Sequence, residues 1–345
     1  MQNKSTAHPW LLFFFQIVPL RWQQSLAGAV AGLLAQIGQA ETYRTIKRNI
    51  DIAFADLDAQ QRDQIAKQAT QNELRAYFEF FHIWGNSKQK NLALIHQVHG
   101  LEYLKSALAK QKGAVLIVPH FGTWEVMNAW LCQHSDLTIM YMPIKNPTMD
   151  RIVLDARQRE GANLVQTEET GVKQIFKALK NGGTTVILPD HTPKNGGELV
   201  PWFDIPVESS QLSAKMIQKT GAGALLLYTL RNDQGGFDLY IEPISEQIYD
   251  RQQNGTAIIH QHIEQLIRRH PSHYHWSYKR FKASAESKKV YSLPHAESIA
   301  LVRSIQAKTR QDETQKNHAM HDQTLKEKIP QDNTLPTQAD HSESI

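Results

Sequence analysis

The order of apolar and polar positions divides the chain into three segments with different patterns. The first segment is strongly apolar, the second alternates between helical and strand periodicities, and the third is polar with few apolar residues. A polar terminus of this composition buries too little surface to offset the entropy lost on folding. We therefore expect an N-terminal membrane-anchoring helical segment over residues 1–40, a folded domain over residues 41–285 and a disordered C-terminal tail over residues 286–345.

The folded domain begins with a helical lead-in and continues with alternating strands and helices. Apolar residues from Glu41 to about Ile95 recur every three or four positions, as on one face of a helix. Farther along, short β-branched runs predict strands at residues 114–118, 137–141, 184–188, 224–228 and 237–241, and amphipathic stretches predict helices near residues 124–134, 147–160, 170–181, 209–220 and 255–270. This alternation predicts an α/β fold with a mixed, mostly parallel sheet flanked by helices. The last strand should be antiparallel, because only a short turn precedes it.

The apolar N-terminal segment is interrupted at its midpoint. Its two apolar stretches, residues 9–20 and 26–37, are separated by Arg21 and two glutamines. Neither stretch reaches the roughly 20 residues that a spanning helix needs, and Arg21 would be costly at bilayer depth. An interfacial anchor with Trp10 and Trp22 at headgroup level is therefore expected at least as strongly as a full crossing. A buried core helix is the remaining alternative.

Charge and cysteine content restrict the classes of protein to consider. The net charge of +4 over 345 residues is too small to indicate nucleic-acid binding, although it suits a surface that meets anionic lipid. Cys132 is the single cysteine, so no internal disulfide can form. Because Cys132 lies in an apolar helical stretch, we expect a buried structural thiol in a reducing compartment.

The strongest candidate for chemistry follows the first predicted strand, in the run His-Phe-Gly-Thr-Trp-Glu from His120 to Glu125. Sites in open α/β sheets gather at the carboxyl ends of strands, and Thr123 is a candidate N-cap for the next helix. A turn at Gly122 would let Glu125 hold one ring nitrogen of His120 as N–H, leaving the other to accept a proton from a hydroxyl group. A Gly-x-Ser-x-Gly motif is absent, which argues against a serine nucleophile. The spacing alone also fits a structural histidine.

Four blocks of sequence resemble the bacterial lipid A secondary acyltransferases, the lauroyl and myristoyl transferase family within the lysophospholipid/glycerolipid acyltransferase superfamily. In order, the blocks are residues 120–125, then 141–150 with 157–161, then 188–190 with 201–204, and finally 270–276 with 279–282. This family replaces the Asp of the glycerolipid acyltransferase His-x4-Asp motif with Glu, as here. The resemblance implies that His120 and Glu125 are the catalytic pair and that Arg159 is a second essential group near the reacting centre.

Arg157, Lys145 and Asp190 are further candidates, for binding substrate. Arg157 and Arg159 lie near a helix end, where a guanidinium can bind an anion or brace a carboxylate, and alternate positions imply that only one of them need face the site. Lys145, before Asn-Pro, is placed to meet a phosphate, but a solvated loop lysine fits equally well. Asp190 ends a predicted strand and is expected in the site, with loop capping as its alternative.

The resemblance implies transfer of a fatty acyl group from acyl carrier protein to a hydroxyl of a Kdo-bearing lipid A precursor. The reaction would occur at the cytoplasmic face of the cell inner membrane of a Gram-negative bacterium, among its lipids and without a bound cofactor. No metal is expected, because the histidines between residues 260 and 275 fit no common zinc spacing. The rival interpretations are acylation of another lipid, such as a lysophospholipid, an ornithine lipid or a phosphoinositol mannoside, and a non-catalytic lipid-binding relative. Acyl length and the acylated position stay open.

Overall fold

The computed structural model describes residues 9–37, 41–194 and 196–327 of the chain. Its helices are α1 Pro9–Ile17, α2 Leu20–Ile37, α3 Glu41–Ala53, α4 Ala59–Gly85, α5 Lys88–Leu92, α6 Leu101–Ala109, α7 Met127–His134, α8 Pro147–Glu160, α9 Glu169–Lys180, α10 Leu212–Thr220, α11 Gly255–Arg269 and α12 His295–Glu327. Its strands are β1 Ile95–His99, β2 Ala114–Ile117, β3 Leu137–Tyr141, β4 Asn163–Gln166, β5 Thr184–Ile187, β6 Glu198–Trp202, β7 Ile205–Ser209, β8 Gly223–Arg231 and β9 Phe237–Pro243. Parts of the expected anchor, residues 1–8 and 38–40, and residues 328–345 of the expected tail lie outside the described residues.

Seven of these strands form one sheet in the order β1-β9-β8-β2-β5-β3-β4. Strands β8, β2, β5, β3 and β4 are parallel to one another, whereas β9 pairs antiparallel with β8 and parallel with β1. The predicted α/β class, the mostly parallel sheet and the antiparallel last strand are therefore confirmed. The strands β6 and β7 form a separate antiparallel hairpin.

Strand β2 lies at the centre of the sheet and is covered on both faces. Val115 and Ile117 pack into one hydrophobic cluster, while Ala114 and Leu116 pack into the cluster on the other face. Successive side chains of a strand point to opposite faces, so a strand buried on both sides is apolar at every position. This packing holds the carboxyl end of β2, and the residues that follow it, in a fixed position.

The sequence pattern did not predict strands β1 and β4, which lie at the two edges of the large sheet, or the hairpin of β6 and β7. Strand β1 lies where the helical lead-in was expected to continue, and its burial alternates only weakly because it is an edge strand. The hairpin turn uses Phe203 and Asp204 in the left-handed region, at φ of 49° and 61°. Glycine or asparagine is usual at such positions, so the turn carried no recognisable signal.

The structure differs from the expected disordered tail in the described part beyond residue 285. Helix α12 places Val302 and Ile305 in the hydrophobic core. Gln306 donates from Nε2 to the backbone oxygen of Phe203 at 2.8 Å, and Arg303 donates to the backbone oxygen of Asp51 at 2.7 Å. A few apolar residues suffice here because polar side chains also bond to the backbone of the domain.

The N-terminal helices α1 and α2 pack against α4 and are joined by a break at Pro19. Their inner face includes the buried Phe15 and Leu20, as in core helices. Their outer face exposes the large apolar side chains Phe13, Phe14, Ile17, Trp22, Leu26, Val30 and Leu33. Among the helices described here, none is both long and apolar enough to cross a membrane.

Candidate active site

His120 and Asp190 meet at the carboxyl ends of two adjacent parallel strands. In the register of β2 and β5, Ile117 pairs with Ile187, and each functional residue lies three positions beyond its paired residue. The backbone N–H of His120 donates to Oδ2 of Asp190 at 2.9 Å, and the imidazole Nδ1 lies 2.9 Å from Oδ1. The carboxylate therefore holds both the backbone and the ring of His120.

The electrostatics of this pair determine which ring nitrogen carries the proton. Burial tends to raise the pKa of Asp190, which is 0% exposed, but the charge and hydrogen bonds of His120 outweigh burial and hold that pKa well below its usual range. An ionised carboxylate accepts hydrogen bonds only, so Nδ1 of His120 donates to it. The lone pair is left on Nε2, where the imidazole can accept a proton.

Glu125 has different partners from those expected. Its Oε1 lies 2.5 Å from Nη2 of Arg157, while Trp84 and Asn128 each donate to Oε2 at 3.2 Å. The expected contact between Glu125 and the imidazole is wrong in this structure, because residues 124–126 form a 3₁₀ turn and Asp190 occupies Nδ1. Burial tends to raise the pKa of Glu125, but Arg157 outweighs burial and lowers it.

The two arginines near the end of α8 lie on different sides of the helix. Residues two apart on a helix point in nearly opposite directions. Arg157 pairs with Glu125 and lines the cavity beside His120. Arg159 is exposed and donates to the backbone oxygen of Trp84 at 2.9 Å. A role near the reacting centre therefore fits Arg157 better than Arg159. Lys145 lies exposed in the loop before α8, outside the residues that line the cavity.

The backbone around His120 is held by the segment from His273 to His275. Gly122 donates its N–H to the backbone oxygen of His273 at 2.8 Å, and His275 donates its N–H to that of His120 at 2.9 Å. The ring Nε2 of His275 also lies 3.1 Å from the backbone oxygen of Gly122. Burial, followed by the charge on His120, lowers the pKa of His275 to about 3, so the ring is neutral and can donate there.

A buried ion pair beneath this loop was missed by sequence reasoning. Glu79 of α4, which is 0% exposed, accepts from Arg231 at 2.6 Å and also from the hydroxyl of Thr123. Thr123 therefore makes no side-chain N-cap hydrogen bond, contrary to expectation. A glutamate among the apolar positions of a buried helix face was the available signal, since such a charge needs a partner.

The loop after β2 and the loop after β5 border a cavity of about 740 Å³. Its polar wall includes His120, Glu125 and Arg157, whereas Ile139, Val186 and Leu212 contribute apolar surface. This volume lies within the range of small-molecule sites. A cavity with an apolar wall beside an imidazole can hold a hydrocarbon chain next to a proton acceptor. Within the described ranges, no three His, Cys, Asp or Glu side chains are grouped to hold a metal ion.

Comparisons with known proteins match one family model and several curated acyltransferases. A family model described as bacterial lipid A biosynthesis acyltransferase matches residues 7–283. The chain is 24% identical over 293 residues to a lipid A biosynthesis acyltransferase of Haemophilus influenzae, covering 82% of this chain and 90% of that protein. It is 23% identical over 264 residues to the lipid A biosynthesis lauroyltransferase of Escherichia coli, covering 75% and 85%. A phosphatidylinositol mannoside acyltransferase of Mycobacterium tuberculosis is 27% identical over 148 residues, covering 41% and 47%.

Proposed function

The chain belongs to the bacterial lipid A biosynthesis acyltransferase family, and we propose that it transfers a fatty acyl group from an acyl carrier protein thioester to a hydroxyl of a lipid A precursor. The observation that carries this proposal is the His120–Asp190 pair beside a cavity of about 740 Å³ that has an apolar wall. An imidazole whose Nδ1 is held by a carboxylate can use the lone pair of Nε2 to accept the proton of an alcohol nucleophile. Acyl transfer itself follows from the family.

In the proposed reaction, Nε2 of His120 takes the proton of the acceptor hydroxyl while the hydroxyl oxygen attacks the thioester carbonyl carbon. The new C–O bond forms, the C–S bond breaks, and the departing thiolate recovers the proton from the imidazolium. Asp190 stabilises the imidazolium because its carboxylate bonds to Nδ1 at 2.9 Å. Asp190 thus takes the orienting role first expected of Glu125, whose catalytic role stays a prediction.

The Glu125–Arg157 pair serves the substrate in this proposal. Both side chains line the same cavity as His120, and burial of Glu125 to 3% exposure fixes the guanidinium position. A guanidinium held in place can meet a phosphate or carbonyl oxygen of a bound lipid. Lys145, exposed in the loop before α8, is a second candidate for a phosphate of the acceptor.

We place the reaction at the cytoplasmic face of the inner membrane. Support for contact with a membrane comes from the exposed apolar face of α1 and α2, where Trp22, Leu26, Val30 and Leu33 recur every three or four residues. Apolar side chains along one helix face are suited to the interfacial region of a bilayer, with an amphipathic tryptophan at headgroup level. Such docking would bring the chain to a lipid acceptor in the membrane.

The test is incubation of the purified protein with acyl carrier protein thioesters and separate lipid acceptors, with products identified by mass spectrometry. The acceptors are a Kdo-bearing lipid A precursor, a lysophospholipid, an ornithine lipid and a phosphatidylinositol mannoside. We expect one added acyl chain on the lipid A precursor, lost in His120→Ala and kept in His134→Ala, whose histidine is exposed at the end of α7. Transfer to lysophospholipid but never to the lipid A precursor would refute the proposed acceptor.

A further inference from the structure

The imidazole of His120 is covered on one face by a second imidazole. The rings of His120 and His191 are stacked with centroids 3.6 Å apart and planes 1° from parallel. Trp124 contacts His120 edge-on, at a centroid distance of 5.1 Å. His191 lines the same cavity, yet the reaction described above assigns it no step.

The position of His191 is itself held by residues near the end of the domain. The ring of Tyr278 stacks on His191 at a centroid distance of 3.8 Å, so the rings of His120, His191 and Tyr278 form one stack. The hydroxyl of Tyr278 accepts from the backbone N–H of Thr192 at 3.1 Å. Arg280, which is 2% exposed, donates to the hydroxyl of Thr192 at 3.1 Å. Tyr278 and Arg280 thus both fix Thr192, the residue that follows His191. They therefore limit movement of the His191 ring.

We propose that His191 is a positioning residue for His120: its ring, backed by Tyr278, holds the imidazole of His120 in the plane that keeps Nδ1 on Asp190 and directs Nε2 into the cavity. The proposal rests on the function given above, since it concerns the same base. It separates two effects on the imidazole. Asp190 fixes which nitrogen carries the proton, while His191 limits rotation of the ring about its bond to Cβ.

The charge on His191 is compatible with this role. The titratable groups that face it are His120, Asp190, Tyr278 and Arg280. Burial, followed by the charge on His120, lowers the pKa of His191 to about 4. His191 is therefore neutral at pH 7, and when His120 takes up a proton the two stacked rings do not repel as two cations.

Two substitutions test whether His191 acts through its flat ring, through a titrating nitrogen or through contact with a ligand. His191→Phe keeps an aromatic face without nitrogen atoms, whereas His191→Leu removes the flat face. We expect kcat to fall about tenfold to a hundredfold in His191→Leu, with KM for the acyl donor nearly unchanged, and to stay within about threefold in His191→Phe. His134→Leu is the matched control, because His134 stacks on Trp130 at 3.8 Å but does not line the cavity.

A second readout needs no acyl substrate. The rate at which diethyl pyrocarbonate modifies His120, measured by peptide mass spectrometry, should fall in His191→Leu, because Nε2 is no longer held toward the cavity, and match the unsubstituted protein in His191→Phe. Equal kcat and equal labelling in all three proteins would overturn the proposal, as would an equal loss of kcat in both variants with a raised KM. If the unsubstituted protein transfers no acyl group while the labelling follows the expected order, the proposed function fails and the positioning role stands.

Discussion

Replacement of Asp190 by asparagine tests the proton position on His120 with little change in shape. One carboxylate oxygen accepts from the backbone N–H of His120 and the other bonds Nδ1, each at 2.9 Å. An asparagine can keep the first bond with its carbonyl oxygen, which then turns its NH₂ group toward Nδ1. Two donors cannot face each other, so Nδ1 must become the acceptor and the ring proton must move to Nε2.

The expected loss of activity follows from losing the base. General base catalysis contributes about 10²-fold to 10⁴-fold, so kcat of Asp190→Asn should fall by that factor, equivalent to about 2.7 to 5.4 kcal/mol. KM should change little, because the carboxylate is 0% exposed and makes its contacts with His120. The assay is the initial rate of acyl transfer to the lipid A precursor over a range of donor concentrations. Asp155→Asn, at an exposed Asp paired with Arg151 on α8, is the matched control.

Thermal unfolding provides the accompanying stability measurement. Because the pKa of Asp190 is depressed in the folded protein, its stabilising contribution is complete above the unfolded-state pKa of about 3.9 and declines as the pH falls below it. The difference in Tm between the unsubstituted protein and Asp190→Asn should therefore shrink between pH 7 and pH 3. A folded Asp190→Asn protein that keeps more than about a third of kcat would refute the reasoning, since the wrong tautomer cannot act as the base.

Three further predictions concern the surroundings of the site. Arg157→Ala, which leaves a buried carboxylate unpaired, should lower the free energy of unfolding by about 3–5 kcal/mol, whereas Arg159→Ala should change it by about 0.5 kcal/mol or less; denaturant titration decides, and equal effects would contradict the assignment. Gly122→Ala should destabilise by about 1–3 kcal/mol in the same assay, because φ is +57° and the new Cβ would lie 2.5 Å from a backbone oxygen of β8; an unchanged midpoint would count against this strain. Cys132 is partly exposed, and burial raises its pKa to about 11. Iodoacetamide should therefore alkylate it about two orders of magnitude more slowly in the folded protein than after denaturation at pH 7.5, and similar rates by mass spectrometry would show that the pKa is not raised.

The sequence predicted those elements that have a strong local signal. Strands β2, β3 and β5 and helix α8 lie within a residue of their expected bounds, because continuous apolar runs and a clear Asn146-Pro147 start fix them. Helix α12 was missed because few of its positions are apolar. Its packing depends on bonds from Arg303 and Gln306 to the backbone of distant segments, which no local pattern contains.

The positions of the candidate site residues His120 and Asp190 in the fold were predicted, but their pairing was not. His120 lies at the end of β2, as expected from the strand-to-turn pattern, and Asp190 lies at the end of β5. The two become partners only because β2 and β5 are adjacent in the sheet, and strand order depends on how the whole chain folds. The sequence analysis favoured Glu125 as the partner of His120 because the two residues are only five positions apart. The sequence does not show which strand ends are neighbours in the sheet.

We propose above that this chain adds an acyl chain to a lipid A precursor through His120. The most direct measurement is the lipid A mass spectrum of a Gram-negative host whose own acyltransferases of this family have been deleted, after expression of this chain or of His120→Ala. We expect lipid A heavier by one fatty acyl group with the unsubstituted chain and no such species with His120→Ala at equal protein level. Lipid A of unchanged mass with both proteins, or the added acyl group with both, would contradict it.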